Sequence, residues 1–96
     1  MIVIKSSEFV EDVKKAKDAR LQAIITARLV RAADGNFGDT RSVGDGVSEM
    51  RIHYGAGWRL YYTVRRQEVI FMLCAGNKSD QKRDIKRAKE LKKEVP

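Results

Sequence analysis

Apolar residues recur along the chain with two periods, and each change of period marks an element. Ile2-Val3-Ile4 is a short β-branched run closed by Lys5-Ser6-Ser7, which predicts an opening strand. From Phe9 the spacing becomes helical. Phe9, Val10, Val13 and Ala16 share a face, Ser6 or Ser7 is placed to cap it, and Glu8, Glu11 and Asp12 suit the positive end of its dipole. The pattern breaks at Lys17-Asp18 and restarts as Leu21, Ile24, Ile25, Leu29 and Ala32, with Gly35 as the stop. Residues 35–46 hold four of the seven glycines and read as a loop. Residues 47–54 and 58–65 then alternate with period two around Gly55-Ala56-Gly57, and a third strand follows over 68–75. Gly76-Asn77-Lys78-Ser79 makes a turn into a last helix, with Ser79 as its cap and Asp80 in its first turn.

Parity within the hairpin predicts how its faces divide. A three-residue loop at Gly55-Ala56-Gly57 pairs Met50 with Tyr62, Ile52 with Leu60 and Tyr54 with Trp58 on an apolar side. The other side then pairs Glu49 with Thr63, Arg51 with Tyr61 and His53 with Arg59, and Arg65 lies further along it. The apolar side is expected under the helices and the polar side open. The fold class expected is therefore α+β: a strand, a helical hairpin, three antiparallel strands and a C-terminal helix, with the helices on one face of a small twisted sheet.

Composition narrows the possible partners. Ninety-six residues suffice for one core, so one domain over 1–96 is expected. At 43% hydrophobic and 34% charged, the chain is too apolar for disorder, and no stretch approaches the roughly 20 apolar residues of a membrane span. The first residues resemble neither a secretory nor a transit peptide, which points to the cytoplasm. A formal charge of +7 favours a polyanion as ligand. The single Cys74 sits in an apolar run and reads as a small hydrophobe, and one Cys with one His makes no usual zinc set, so no metal or cofactor is expected. Asp39 and Asp45 read as turn formers rather than a catalytic carboxylate pair.

Cation chemistry on the polar sheet face remains. Arg51 and Arg59 on adjacent strands repel each other, and Glu49 compensates only one of them, which points to an anionic ligand. If RNA lies there, such cations stabilise the phosphorane formed when a 2′-OH attacks the adjacent phosphate. Proton transfer falls to His53, or to Lys78 or Tyr61 if neighbouring cations lower their pKa. The last helix is strongly basic, and its far end, Lys89 to Lys93, reads as a solvated charged face with only Ile85, Ala88, Leu91 and Val95 for packing.

Three ordered motifs carry a resemblance. Gly35-Asn-Phe-Gly-Asp39, the run from Val43 through Glu49-Met-Arg-Ile52 and Gly57-Trp-Arg-Leu-Tyr-Tyr62, and Leu73-x-x-Gly-x-Lys-x-x-Gln81 with Asp84-Ile-x-x-Ala88 are similar to the addiction-module killer proteins. These are the phage Gp49-like, HigB-type toxins of the RelE/ParE superfamily, and the similarity spans nearly the whole chain. The resemblance implies a type II toxin that cleaves mRNA, commonly on the ribosome, and is silenced by a HigA-like helix-turn-helix antitoxin, reaching operator DNA only through that complex. It places the active site at Arg51, Arg59 and Lys78. Gln81, Lys82 and Asp84 are supporting candidates, and Arg41 and Arg65 are further candidate RNA contacts. His53 lies between the matched positions. The superfamily also holds ParE-type poisons of DNA gyrase, and a third alternative is a nucleic-acid-binding module without catalysis.

Overall fold

The computed structural model describes all 96 residues. They form β1 (Ile2–Lys5), α1 (Ser7–Lys15), α2 (Ala19–Ala33), β2 (Thr40–Gly44), β3 (Val47–Ile52), β4 (Trp58–Arg65), β5 (Val69–Asn77), a 3-10 turn (Lys78–Asp80) and α3 (Gln81–Lys92). Ser6 caps α1, its Oγ accepting from the Phe9 amide at 3.0 Å and donating to the Leu73 carbonyl at 2.7 Å, so one hydroxyl both starts the helix and ties it to β5. The expected break at Lys17-Asp18 is a left-handed Lys17 (φ +50°) followed by Asp18, which caps α2 through the Leu21 amide. Gly35 ends α2 at φ +91°.

The sheet runs β1-β5-β4-β3-β2, antiparallel except for β1 beside β5. β1 pairs with β5 only as far as Met72. Beyond it, side chains take the place of a strand: Asp12 accepts from the Ala75 amide at 3.0 Å, and Arg87 donates to the Ala75 carbonyl at 3.3 Å and to Asp12 at 2.6 Å. That junction couples α1, β5 and α3.

Four features differ from the reading of the sequence. Residues 40–44 form an edge strand, not loop: Thr40 Oγ1 donates to the Glu49 carbonyl at 2.8 Å, and Arg41 lies opposite Glu49. The hairpin keeps its predicted faces but is slipped by two residues, with Arg51 opposite Arg59, Ile52 opposite Trp58 and Glu49 opposite Tyr61. Parity is blind to an even slip. The connection is His53–Gly57, in which Gly55 and Gly57 take positive φ and the Gly57 carbonyl accepts from the Lys78 amide at 3.0 Å. The helices divide between the faces. α1 and α2 cover Met50, Ile52, Leu60, Tyr62, Ile70 and Met72, whereas α3 lies on the opposite face over Val47, Tyr61, Leu73 and Cys74, with Ala88 buried and Ile85, Leu91 and Val95 around it. A bulge makes this possible, since Tyr61 pairs with Cys74 but Tyr62 with Met72, so Leu73 and Cys74 both turn toward α3. Lastly, Asn77, not Ser79, caps the turn before α3, its side chain accepting from the Ser79 amide.

Candidate active site at the β3–β4 end of the second face

The register puts two guanidinium groups directly across from each other, an arrangement that is unfavourable on its own. Glu49 resolves it from one residue pair away. Its carboxylate is fully buried and takes three arginines: Arg41 Nε at 2.6 Å, Arg59 Nε at 3.4 Å and Arg51 Nε at 3.7 Å. Gln81, from the first turn of α3, donates Nε2 to both carboxylate oxygens at 2.9 and 3.1 Å. One anion thus holds three cations together, and the cluster keeps an excess of two positive charges.

The way these cations are held matters chemically. Only Arg41 makes a hydrogen bond to Glu49. Arg51 Nε and Arg59 Nε are buried yet have no hydrogen-bond partner, and the side chains of Arg51 and Arg59 are 29% and 10% exposed, so each reaches solvent along one edge only. Buried polar groups without partners are few in native proteins, and those here are cationic donors.

Beside them lies a cleft of ≈ 330 Å³ lined by His53, Tyr54, Gly55, Ala56, Gly57, Arg59 and Lys78. Lys78 is exposed at its rim, held near the hairpin loop by the hydrogen bond its backbone N–H donates to the Gly57 carbonyl. His53 is 73% exposed and its Nε2 lies 2.6 Å from Asp39 Oδ2. Asp39 also approaches Arg51 Nη1 at 3.7 Å. The hydrogen bond from His53 is the main cause holding the Asp39 carboxyl below the usual range, so Asp39 stays an anion, and a ring that donates to it from Nε2 keeps Nδ1 as its other nitrogen for proton transfer. Arg28 of α2 sets this corner, donating to the carbonyls of Arg51 at 2.6 Å and Phe37 at 3.2 Å.

The structure therefore brings together Arg51, Arg59, Lys78 and His53, with Arg41 at the margin and Lys82 exposed nearby on the first turn of α3. Four expected residues are placed otherwise. Tyr61 is fully buried beneath α3, and burial first, then the charges of Glu49, Asp84 and Cys74, raise its pKa, with only Arg59 opposing. Its phenol stays protonated and cannot serve as a base. Asp84 is fully buried and does not face a ligand, and Gln81 spends its amide on Glu49. Arg65 sits six residues from Arg59 on the same strand face, about 20 Å away at a rise of ~3.3 Å per residue. Cys74 is buried, and burial pushes its thiol up to about 12, as an inert packing residue requires.

The sequence reading passed over three participants. Glu49 is a hub rather than a partner for one arginine, Asp39 meets the imidazole with its side chain, and Arg28 braces the carbonyls of Arg51 and Asp39. Only Glu49 left a signal, as an acidic residue on a strand face otherwise rich in cations.

A protein of Haemophilus influenzae (strain ATCC 51907 / DSM 11121 / KW20 / Rd), described as uncharacterized, is 46% identical over 81 residues, which cover 84% of this chain and 82% of that protein. The family model described as phage derived protein Gp49-like (DUF891) matches residues 8–93, a span that includes every residue of the cluster. The chain thus belongs to the phage-derived Gp49-like family, which is associated with toxin–antitoxin systems.

Proposed function

We propose that the protein is the toxin of a type II toxin–antitoxin pair and acts as an endoribonuclease on mRNA bound to the ribosome. The observation that carries this reading is the facing pair of guanidinium groups, Arg51 and Arg59, whose shared carboxylate is already engaged by Arg41 and Gln81, which leaves an excess of positive charge beside the cleft. Donors fixed in advance and desolvated on one side stabilise charge that develops in a transition state more than charge already present in the ground state.

A phosphodiester enters across the two arginines with its ribose toward the cleft. His53 Nδ1 takes the proton of the 2′-OH while Asp39 holds the opposite ring nitrogen. The 2′-oxygen bonds to phosphorus, and Arg51 and Arg59 balance the charge of the phosphorane. The bond from phosphorus to the 5′-oxygen then breaks, and Lys78 protonates the departing oxygen. The products are a 2′,3′-cyclic phosphate and a 5′-hydroxyl. No step calls on a metal. A cognate antitoxin with a helix-turn-helix would silence the toxin and carry it to operator DNA.

Primer extension on a defined mRNA, with and without ribosomes, tests the reading. New 5′ ends are expected with the wild-type protein, and Arg51→Ala or Arg59→Ala should slow their appearance about 10²- to 10³-fold, the usual loss on removing one such donor. Asp39→Asn should lower kcat and leave KM in place. Arg51→Ala is the safer variant for folding because its side chain is the more exposed. Intact mRNA in every arm, while growth still arrests in cells, overturns the nuclease reading.

A further inference from the structure

Three lysines of α3 and the lysine that caps it lie on one stripe. Lys82, Lys86, Lys89 and Lys93 follow the i, i+4, i+7, i+11 spacing of a helix face. The stripe begins one residue from Gln81, the brace of Glu49, and ends at a second cleft between α3, the β2–β3 turn and the end of β4. That cleft, ≈ 450 Å³, is lined by no hydrophobic residue, which sets it apart from a small-molecule pocket. Five cations line it against Asp45 and Glu90. Both acids are already engaged, Asp45 by Lys89 at 3.5 Å and Glu90 by Lys93 at 3.3 Å. Arg65, Lys86 and Lys92 lack acidic partners. Two of these lysines rest against the glycines of the β2–β3 turn: a Cβ at Gly46 would lie 2.8 Å from Lys92 Nζ, and one at Gly44 3.2 Å from Lys89 Nζ, so the bare turn lets both lysines lie across it.

We propose that this stripe and cleft form a track for an RNA backbone, a second contact reaching about 20 Å from Arg59; the inference rests on the nuclease reading for the direction in which the strand enters. Two independent lengths agree, the six residues from Arg59 to Arg65 along β4 and the 12 residues of α3, at ~3.3 and ~1.5 Å per residue. Exposed charges act over roughly 8–10 Å in physiological salt, so cations spread over this span serve a chain of phosphates and not one anion. The cleft offers no aromatic ring for stacking and few groups for reading base edges, so the track contributes affinity without sequence preference.

The test is a triple variant, Arg65→Gln, Lys86→Gln and Lys92→Gln, which removes the three cations without acidic partners and leaves the ion pairs in place. Its thermal midpoint is measured beside wild type to confirm folding. Binding of a non-cleavable 2′-O-methyl oligonucleotide is followed against salt, and cosedimentation with ribosomes forms a second arm. The slope of log K against log salt should become shallower by about 2, at roughly 0.7 per phosphate on a single strand, with about tenfold weaker binding near physiological salt. Loss in the oligonucleotide arm assigns the track to mRNA, and loss in the ribosome arm alone assigns it to ribosomal RNA. An unchanged slope in both arms overturns the track, as does loss only of binding to an acidic antitoxin. If wild type cuts no RNA but the slope still falls, the nuclease reading fails and the track stands.

Discussion

Two carboxylates lie fully buried on the α3 side of the sheet, Glu49 on β3 and Asp84 on α3, and each has arginines around it. At Glu49 both oxygens accept hydrogen bonds, from Arg41 and Gln81, and the atoms left over are donors, Nε of Arg51 and Nε of Arg59. At Asp84 the carboxylate itself is left short. Oδ1 takes only long contacts from Arg83 at 3.4 Å and Arg87 at 3.6 Å, and Oδ2 has none, because the Arg87 Nη2 group is spent on Asp12 and the Ala75 carbonyl. Arginine beside a buried acid is therefore not a signal of function by itself. What is left over separates the two: at Glu49 the acid is satisfied and the excess is cationic beside an open cleft, whereas at Asp84 an unpartnered acceptor, Oδ2, lies sealed under a helix together with an unpartnered donor, Arg87 Nε, and the site belongs to packing.

Removing the hub should have the largest effect. Glu49→Ala leaves three guanidinium groups beside one another, two of them largely buried, with no common anion. Breaking a buried charge cluster in this way costs about 3–5 kcal/mol, a large part of the stability of a small domain. Chemical denaturation should show the loss, and added inorganic phosphate should restore part of it by standing in for the missing anion. A midpoint within experimental error of wild type would mean that Glu49 does not hold the arginines together.

The same contrast, local chemistry against distant partners, divides what could be read without a structure. Faces, caps and the helical hairpin follow from local chemistry, since Ser6, Asp18 and Gly35 act on their own neighbours. Arg51 and Arg59 stand out in the sequence because cations gathered on an alternating strand face repel one another unless an anion lies among them, whereas Lys78, in the turn before α3, was singled out by its place in the family-like motif. What escaped depends on partners distant in sequence. β2 is five residues with two exposed polar side chains and a terminal glycine, and only pairing with β3 makes it a strand. Glu49 meets Gln81 across 32 positions, and Arg28 meets Arg51 across 23. The even slip of the hairpin left every face intact and so left no trace in the pattern. Gly76, part of the family-like motif, reads as a turn residue, yet it lies in β5 and its role is to have no side chain.

That role gives the next effect. A Cβ at Gly76 would collide with Asp84 Oδ2 and lie 3.0 Å from its Cγ, and Asp84 is fully buried on a helix that cannot easily withdraw. Gly76→Ala should cost about 1–3 kcal/mol, the usual range for overfilling a packed site. Because the strain moves the start of α3, it should also displace Gln81 from Glu49 and lower RNA cleavage more than stability alone accounts for. A smaller side chain at the partner position relieves the clash, so Gly76→Ala combined with Asp84→Ser should recover stability relative to the single variant. Independent, additive losses in the pair would show that the two residues do not meet.

Asp84→Asn probes the opposite half of the comparison and should have the smallest effect. Burial raises the Asp84 pKa above its usual carboxylate value, with Arg87 and then Arg83 only partly opposing it. A carboxyl whose pKa is raised on folding binds its proton more tightly in the native state, so its contribution is most favourable below the unfolded pKa. That contribution is lost as pH rises through the folded value. Ionising this carboxyl in the folded state is thus a net burden, and an amide of the same shape removes the charge while keeping a polar group beside Arg87. Stability at pH 7 should change by less than about 1 kcal/mol, in contrast to the loss expected at Glu49. The difference should also depend on acidity: the variant loses the native state's gain from protonating Asp84, so lowering the pH from 7 toward 4 should improve wild type relative to Asp84→Asn. Denaturation midpoints of both proteins across that range decide it. A large loss at pH 7, growing smaller in acid, would mean that Arg83 and Arg87 outweigh burial and that the two carboxylates are alike.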